Sequence, residues 1–292
     1  MEDQSAKHAV VPKHFIGSFI LVTSLFALWG FANDITNPLV AAFKAVFDNL
    51  SNAQSSTIQF AFYGGYATMA IPAALFIQKY SYKAGILLGL ALYATGALLF
   101  IPAALTMQFI WFPLSLYVLT FGLAFLETTA NPYILSMGDE ETATQRLNLA
   151  QAFNPIGSLL GMFTASKLIL AKLSTSQFRD NQMAANPEYN ALPASEVNSR
   201  ITEAYEAFKV AEPTTHAANQ MADVAIIRNP YAILGGVVLI MFILFLLKKM
   251  PDTGNRGNHS SPLESAKRLF KNNCWWEGVI AQTFYVAAQI PC

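Results

Sequence analysis

The chain has 292 residues, of which 54% are apolar and only 12% charged, with 18 basic against 18 acidic side chains. A soluble domain ordinarily carries about 25% charged residues, so charge has been removed from most of this sequence. Balanced, scattered charge argues against a nucleic-acid partner. The two cysteines, Cys274 and Cys292, both stand near the end and give no disulfide framework.

Windows of about 20 apolar residues, enough to cross a hydrocarbon core of about 30 Å, recur along the chain. They predict spans at 15–43, 57–78, 84–104, 109–137, 146–172 and 229–250, with a seventh beginning near 274. Backbone in lipid must satisfy its own hydrogen bonds, and these runs are too long and continuous for barrel strands. The predicted class is therefore an all-α polytopic membrane protein. The first run is too long for a cleavable signal and lacks a small-residue cleavage site, so it is expected to remain as an anchor. The predicted organisation is an N-terminus at 1–14, five spans within 15–172, a loop at 173–228, a sixth span at 229–250, a linker at 251–273 and the seventh-span segment at 274–292.

Lys7, Lys13, Lys79, Lys83, Arg146, Lys248, Lys249, Arg256, Lys267, Arg268 and Lys271 all fall on one side of this arrangement. The excess of Lys and Arg on cytoplasmic loops puts that side, with the N-terminus, in the cytoplasm. The 173–228 loop then lies outside, where ITEAYEAFKV sets Ile201, Ala204, Tyr205 and Phe208 at the spacing of a short surface helix. Residues 251–271, rich in Gly, Pro, Ser and Asn, read as a flexible linker.

The first span contains FANDITNPLVAAF, with Asp34, Asn37 and Pro38; the fourth contains LETTANPYIL, with Glu127, Asn131 and Pro132. An acid followed by Asn-Pro thus appears twice. QFAFYGGY from Gln59 and AQAFNPIG from Ala150 also correspond, so the spans divide into two related three-helix units. Inverted repeats of this kind build secondary transporters, with polar groups meeting near the bilayer midplane.

A carboxylate placed mid-span costs about 2.5 to 3.5 kcal/mol on the insertion scale, so Asp34 and Glu127 should face a cavity or a partner. Glu127 and Asn131, four apart, share a helical face; Asp34 and Asn37 are three apart. In the fifth span Asn148, Gln151, Pro155 and Ser158 form a similar stripe. Pro38 and Pro155 cannot bond the carbonyls of Asp34 and Gln151, which leaves two acceptors beside polar side chains. Phe62, Tyr63 and Tyr66 in the second span offer a wall for stacking a sugar ring. The set suits a polar, uncharged, hydroxyl-rich solute.

Structural readings stand beside these. Asp34 and Glu127 could each be a hydrogen-bonded carboxylate between helices, the Asn-Pro pairs simple kinks, and Tyr63 and Tyr66 core packing. Gly64, Gly65, Gly85, Gly89, Gly96 and Gly157 are most simply close helix contacts. His8, His14, His216 and His259 fall outside the predicted spans, so no histidine proton relay is expected. There is no phosphate loop, no HExxH, no GxSxG and no Cys/His cluster, which excludes the common enzyme classes and disfavours an ATP-driven pump. No metal or cofactor is expected.

FALWGFAND, AFYGGYATMAIPA, KYSYKAGILLGLALYATGALLFIPAA, GLAFLETTANPYIL and QRLNLAQAFNPIG resemble the L-fucose permease family of the major facilitator superfamily. These are proton symporters of fucose, glucose and galactose. The resemblance is close over 15–172 and loose over 229–290. It implies twelve spans in two six-helix halves, with sugar bound between them and exchanged by alternating access across the cytoplasmic (inner) membrane. It implies proton coupling at Glu127 and a cavity lined by Gln151 and Asn154. The family's first-span acid matches Asn37, whereas the acid here, Asp34, lies three residues earlier. The candidate proton-coupling residues are thus Glu127 and Asp34. The candidate sugar contacts are Asn37, Asn131, Gln151, Asn154, Tyr63 and Gln59.

WWEGVIAQTFYVAAQIPC resembles the start of that family's seventh span and stops within it. The expectation is a six-helix N-terminal half plus the start of a seventh helix, with transport requiring a C-terminal half or a second copy. Two alternatives remain: a non-transporting membrane fragment or interaction subunit, and a carrier of the same superfamily for another small solute. An amino-acid carrier would want a mid-span cation, and Lys167 stands near a span end.

Overall fold

A computed structural model describes residues 9–48, 50–251, 267–268 and 270–289. Lys7, His8, Arg256, His259, Cys292 and most of the 251–271 linker lie outside the described residues. The chain divides into two compact units, Met1–Thr253 and Gly254–Cys292.

In the first unit the regular elements among the described residues are helical. The stretch predicted as one span over 15–43 is two helices, α1 (Ile16–Thr36) and α2 (Leu39–Val46). Pro38 has no N–H to return to the Asp34 carbonyl, and this interrupts the ladder. The backbone stays near helical dihedrals, and the Ala42 N–H resumes bonding on the Pro38 carbonyl at 3.1 Å.

Helix α3 (Asn52–Lys79) starts on a capping box: Ser51 Oγ accepts from the Gln54 N–H at 3.2 Å, and Gln54 Oε1 accepts from the Ser51 N–H at 3.0 Å. Such a cap is worth about 1 kcal/mol. Helix α4 (Tyr82–Leu98) opens on Ser81, whose Oγ accepts from Ala84, and α5 (Phe100–Thr106) continues it to a left-handed residue, Met107. Helix α6 (Trp111–Leu135) carries Pro132 within its last turn. The fifth predicted span is likewise broken into α7 (Ala143–Gln151) and α8 (Asn154–Phe163), with Pro155 in the first turn of α8. A π turn over Thr164–Ile169 and a 3-10 turn over Leu170–Lys172 follow.

Helix α9 (Ser174–Ala185) bends away by 66° from the Glu140–Lys172 stretch. Helix α10 (Ala194–Ala211) contains the expected ITEAYEAFKV helix. Helix α11 (Pro213–Leu247) begins well before residue 229, the expected start of the sixth span. Its polar first half has no apolar signal; Pro213 is preset for a helix N-terminus, and tertiary partners hold the rest. Five helical stretches, Lys13–Thr36, Asn52–Lys79, Tyr82–Thr106, Trp111–Leu135 and Pro213–Leu247, are long and apolar enough to cross a membrane. Counted as one span, the bent Glu140–Ala185 stretch brings the number among the described residues to six.

Helix α1 packs on α8, α3 and α4 on α6, and α4 on α11. The closest approaches need glycine. A Cβ at Gly157 would collide with the Ala27 carbonyl, and one at Gly122 with the backbone of Tyr93. The core includes Phe43, Phe100, Phe112 and Tyr231; Phe100 and Tyr231 stack at 3.9 Å, and Tyr231 Oη lies 3.0 Å from Thr36 Oγ1. Phe60, Ile71, Leu159, Ile233 and Leu247 point outward. This is the arrangement expected of helices bathed in hydrocarbon.

In the second unit, α12 (Asn273–Gln289) begins beside the expected onset of a seventh span and has 17 residues. Its first turn is held by Trp276 Nε1, which donates to the Phe270 carbonyl at 3.1 Å, and by the ring contacts of Phe270, Trp275 and Trp276. Cys274 is an exposed free thiol.

Candidate solute site

Because α6 is continuous through its middle, Glu127 and Asn131 project from one face into one cleft of about 360 Å³. Tyr66, Ala70, Ala124, Glu127, Thr128 and Asn131 line it. Asn131 Nδ2 donates to the Glu127 carbonyl at 3.1 Å, one residue before the Thr128 carbonyl that Pro132 cannot bond. Asn131 Oδ1 accepts from Gln151 Nε2 at 3.2 Å. Gln151 is the last residue of α7, so the Pro155 break delivers this amide to α6. Among the described residues no side chain hydrogen-bonds the Glu127 carboxylate.

The second wall is α3. Trp29 Nε1 on α1 donates to Tyr66 Oη at 2.7 Å. Tyr93 Oη on α4 donates to the Leu28 carbonyl at 3.1 Å, which holds the α1 backbone next to that indole. Asn154 Nδ2, at the head of α8, donates to the Phe26 carbonyl of α1 at 3.3 Å.

The structure therefore gathers Glu127, Asn131 and Gln151 and sets Asn154 on the α1 to α8 contact. It does not bring Asp34 into this group. Asn37 Nδ2 donates to Asp34 Oδ1 at 3.3 Å, more than one turn beyond Trp29 along α1. Of the three aromatic residues expected to form a wall, Tyr66 lines the cleft and Phe62 is buried in the core. Tyr63, 50% exposed, stands edge-on to Phe62 at 5.5 Å. Gln59 Oε1 is buried without a hydrogen-bond partner among the described residues. Trp29 and Thr128 are not among the candidate site residues the sequence offers: an indole in an apolar run carries no polar signal until the register of α1 against α3 is known.

Charged groups elsewhere close helix ends. Arg146, fully buried on α7, donates to the Ile134 and Leu135 carbonyls at 3.2 and 2.7 Å, to Thr142 Oγ1 at 2.6 Å and to the Val10 carbonyl at 3.3 Å. Lys83 Nζ donates to the Leu246 and Lys248 carbonyls at 3.0 and 2.9 Å. Both cations meet the negative end of a helix, where orphan carbonyls collect. At the far end of α2, Asp48 lies 2.7 Å from His216 Nε2, 2.9 Å from Gln220 Nε2 and 3.3 Å from Lys209 Nζ. Burial raises the Asp48 carboxyl, but the His216 hydrogen bond and the Lys209 charge outweigh it and hold it below the usual carboxylate value. His216, expected in a loop, thus belongs to the first turn of α11. Among the described residues no group of three or more His, Cys, Asp or Glu is placed to hold a metal.

A polytopic helical protein with a carboxylate and convergent amides in a cleft between its helices has the form of a secondary transporter. No protein-family model matches the chain. It is 53% identical over 284 residues to the L-fucose-proton symporter of Haemophilus influenzae, covering 97% of this chain and 61% of that protein. It is 36% identical over 290 residues to the L-fucose-proton symporter of Escherichia coli K12, covering 98% of this chain and 60% of that one. It superposes on the crystal structure of the major facilitator superfamily transporter FucP in the outward conformation with a TM-score of 0.72. The identity there is 34%, over 95% of this chain and 61% of the other. Over nearly its whole length the chain is similar to L-fucose-proton symporters and to a major facilitator superfamily transporter. It spans about 60% of the length of the curated relatives it matches. These relatives are symporters, not enzymes, and the chain is a multi-pass membrane protein.

Proposed function

We propose that the stretch from Lys13 to Leu247 supplies the N-terminal six-helix half of a proton-coupled symporter for a hexose of the L-fucose, glucose or galactose type. The observation that carries this reading is Glu127, a carboxylate without a side-chain hydrogen-bond partner among the described residues, in a cleft walled by Tyr66 and the hydrogen-bonded pair Asn131 and Gln151. An ionisable group kept in a membrane helix at such cost marks a proton or solute path. Glu127 takes the coupled proton; in that form it donates to a sugar hydroxyl, and in the ionised form it disfavours a dry, closed cleft. Proton and sugar binding are then linked.

Asn131, Gln151 and Asn154 supply amides to sugar hydroxyls, with Asn37, Gln59 and Tyr63 as outlying contacts. Asp34 is a second, less direct candidate for the proton. The helix pairing supports two related three-helix units: exchanging first for fourth span and second for fifth turns the α1 to α8 contact into that of α6 with α3. A six-helix half leaves one side of the sugar site open, and a C-terminal half or a second copy closes it. The basic residues Lys79, Lys83, Arg146, Lys248 and Lys249 support an N-terminus in the cytoplasm and a place in the inner membrane.

The test is uptake of labelled fucose, glucose and galactose at acidic and neutral pH by vesicles containing the chain alone, then by vesicles containing it with a C-terminal half. Uptake driven by an inward proton gradient in either preparation supports the reading. Its absence from both, with the protein present in the membrane, refutes it.

A further inference from the structure

The indole N–H can donate and cannot accept, so in the 2.7 Å contact of Trp29 Nε1 with Tyr66 Oη the tyrosine oxygen is the acceptor. The phenol hydrogen must then point elsewhere. Tyr66 lines the cleft that Glu127 also lines. The neighbouring amides are already engaged: Asn131 holds the Glu127 carbonyl and Gln151, and Asn154 holds the Phe26 carbonyl.

We infer that Tyr66 is a positioning residue that Trp29 turns toward Glu127, donating to the ionised carboxylate and passing its hydrogen bond to a sugar oxygen when Glu127 is protonated. This rests on the sugar symport reading and deepens it. The proton enters Glu127 from water in the cleft, and Tyr66 keeps its own proton throughout. The exchange gives the linkage a physical form: protonation of Glu127 frees one oriented donor at the moment a hydroxyl-rich solute needs it.

The surrounding charges leave this pair to itself. Of the neighbouring tyrosines, Tyr93 on α4 donates to the Leu28 carbonyl and Tyr63 on the same helix stands edge-on to Phe62. On the helices packed about α6, Arg146 of α7 and Lys83 of α4 are bound to helix-end carbonyls, Lys79 of α3 lies 5.5 Å over the Tyr80 ring, and Asp34 of α1 pairs with Asn37.

The experiment follows the Trp29 indole N–H resonance of the whole chain, labelled with 15N at tryptophan and held in lipid nanodiscs, as pH is varied. Loss of one signal in Trp29→Phe assigns it. The expected result is one pH-dependent step in the wild-type signal, absent in both Glu127→Gln and Tyr66→Phe and kept in Asp34→Asn. A signal that does not move, that moves equally in Glu127→Gln, or that loses its step only in Asp34→Asn overturns the inference. Should Tyr66→Phe not fold, the Glu127→Gln and Asp34→Asn pair decides alone. Labelled fucose uptake by the same wild-type protein reads the symport proposal separately, so either claim can fail without the other.

Discussion

Arg146 Nη2 donates to the Leu135 carbonyl at 2.7 Å, so the helix that carries Glu127 ends on a buried guanidinium. Hydrogen bonds to a charged group are worth about 1.5 to 3 kcal/mol each, and truncation removes the donors to the Leu135, Ile134 and Val10 carbonyls, of which Ile134 keeps the Met137 N–H at 3.2 Å. Arg146→Leu should destabilise the protein by at least about 3 kcal/mol, read as a lower Tm in detergent. Arg146→Lys should recover only part of this, since an ammonium cannot reproduce the planar fork.

Glu127→Gln keeps a side chain of the same shape that can still hydrogen-bond a sugar. Sugar binding should persist, and the dependence of uptake on a proton gradient should vanish. Gradient-driven, uphill accumulation equal to wild type would sink the role given to Glu127.

Gly157 has no room for a side chain against the Ala27 carbonyl. Gly157→Val must push α8 off α1, an overpacking cost of about 3 kcal/mol or more. The variant should be recovered as aggregate or with a sharply lower Tm by size exclusion and thermal unfolding.

Asp48 is held below its usual value of 3.8 in the folded chain. A carboxyl with a depressed folded pKa stabilises fully above its unfolded value, and this is lost as pH falls through the lower folded value. The wild type should therefore lose part of its Tm on acidification below about pH 3.8. Asp48→Asn should start lower at neutral pH and lack that part of the acid loss. Identical acid profiles would show that the His216, Gln220 and Lys209 contacts stabilise nothing.

The membrane helices were legible because lipid demands long apolar runs, and the pairing of Glu127 with Asn131 because helical spacing alone sets it. What escaped depended on contacts between distant segments. The first half of α11 reads as polar loop, yet it is helical where His216 and Gln220 reach Asp48 and where Asp223 accepts from Ser174 N and Oγ at 2.9 and 2.6 Å. Arg146 looked like a sidedness signal, and its work as a helix cap appears only when α7 folds back on α6. Asp34 and Glu127 each precede an Asn-Pro pair, but Asp34 stands three residues before its Asn and Glu127 four, which turns the two acids to different sides of their helices, and of the two Glu127 lines the cleft.

The contact of α1 with α8 restricts how these helices can move. Gly157 sits on the Ala27 carbonyl, and a Cβ at Gly161 would come within 2.6 Å of the Phe31 carbonyl. Sliding one helix past the other by a single residue, about 1.5 Å, would bring a side chain to a place that admits only hydrogen. The first and fifth spans are therefore geared together without backlash. Any stroke that opens the cleft must be taken up elsewhere, by tilting of the pair as one lever or by flexure at the proline breaks where the helical ladders are already cut.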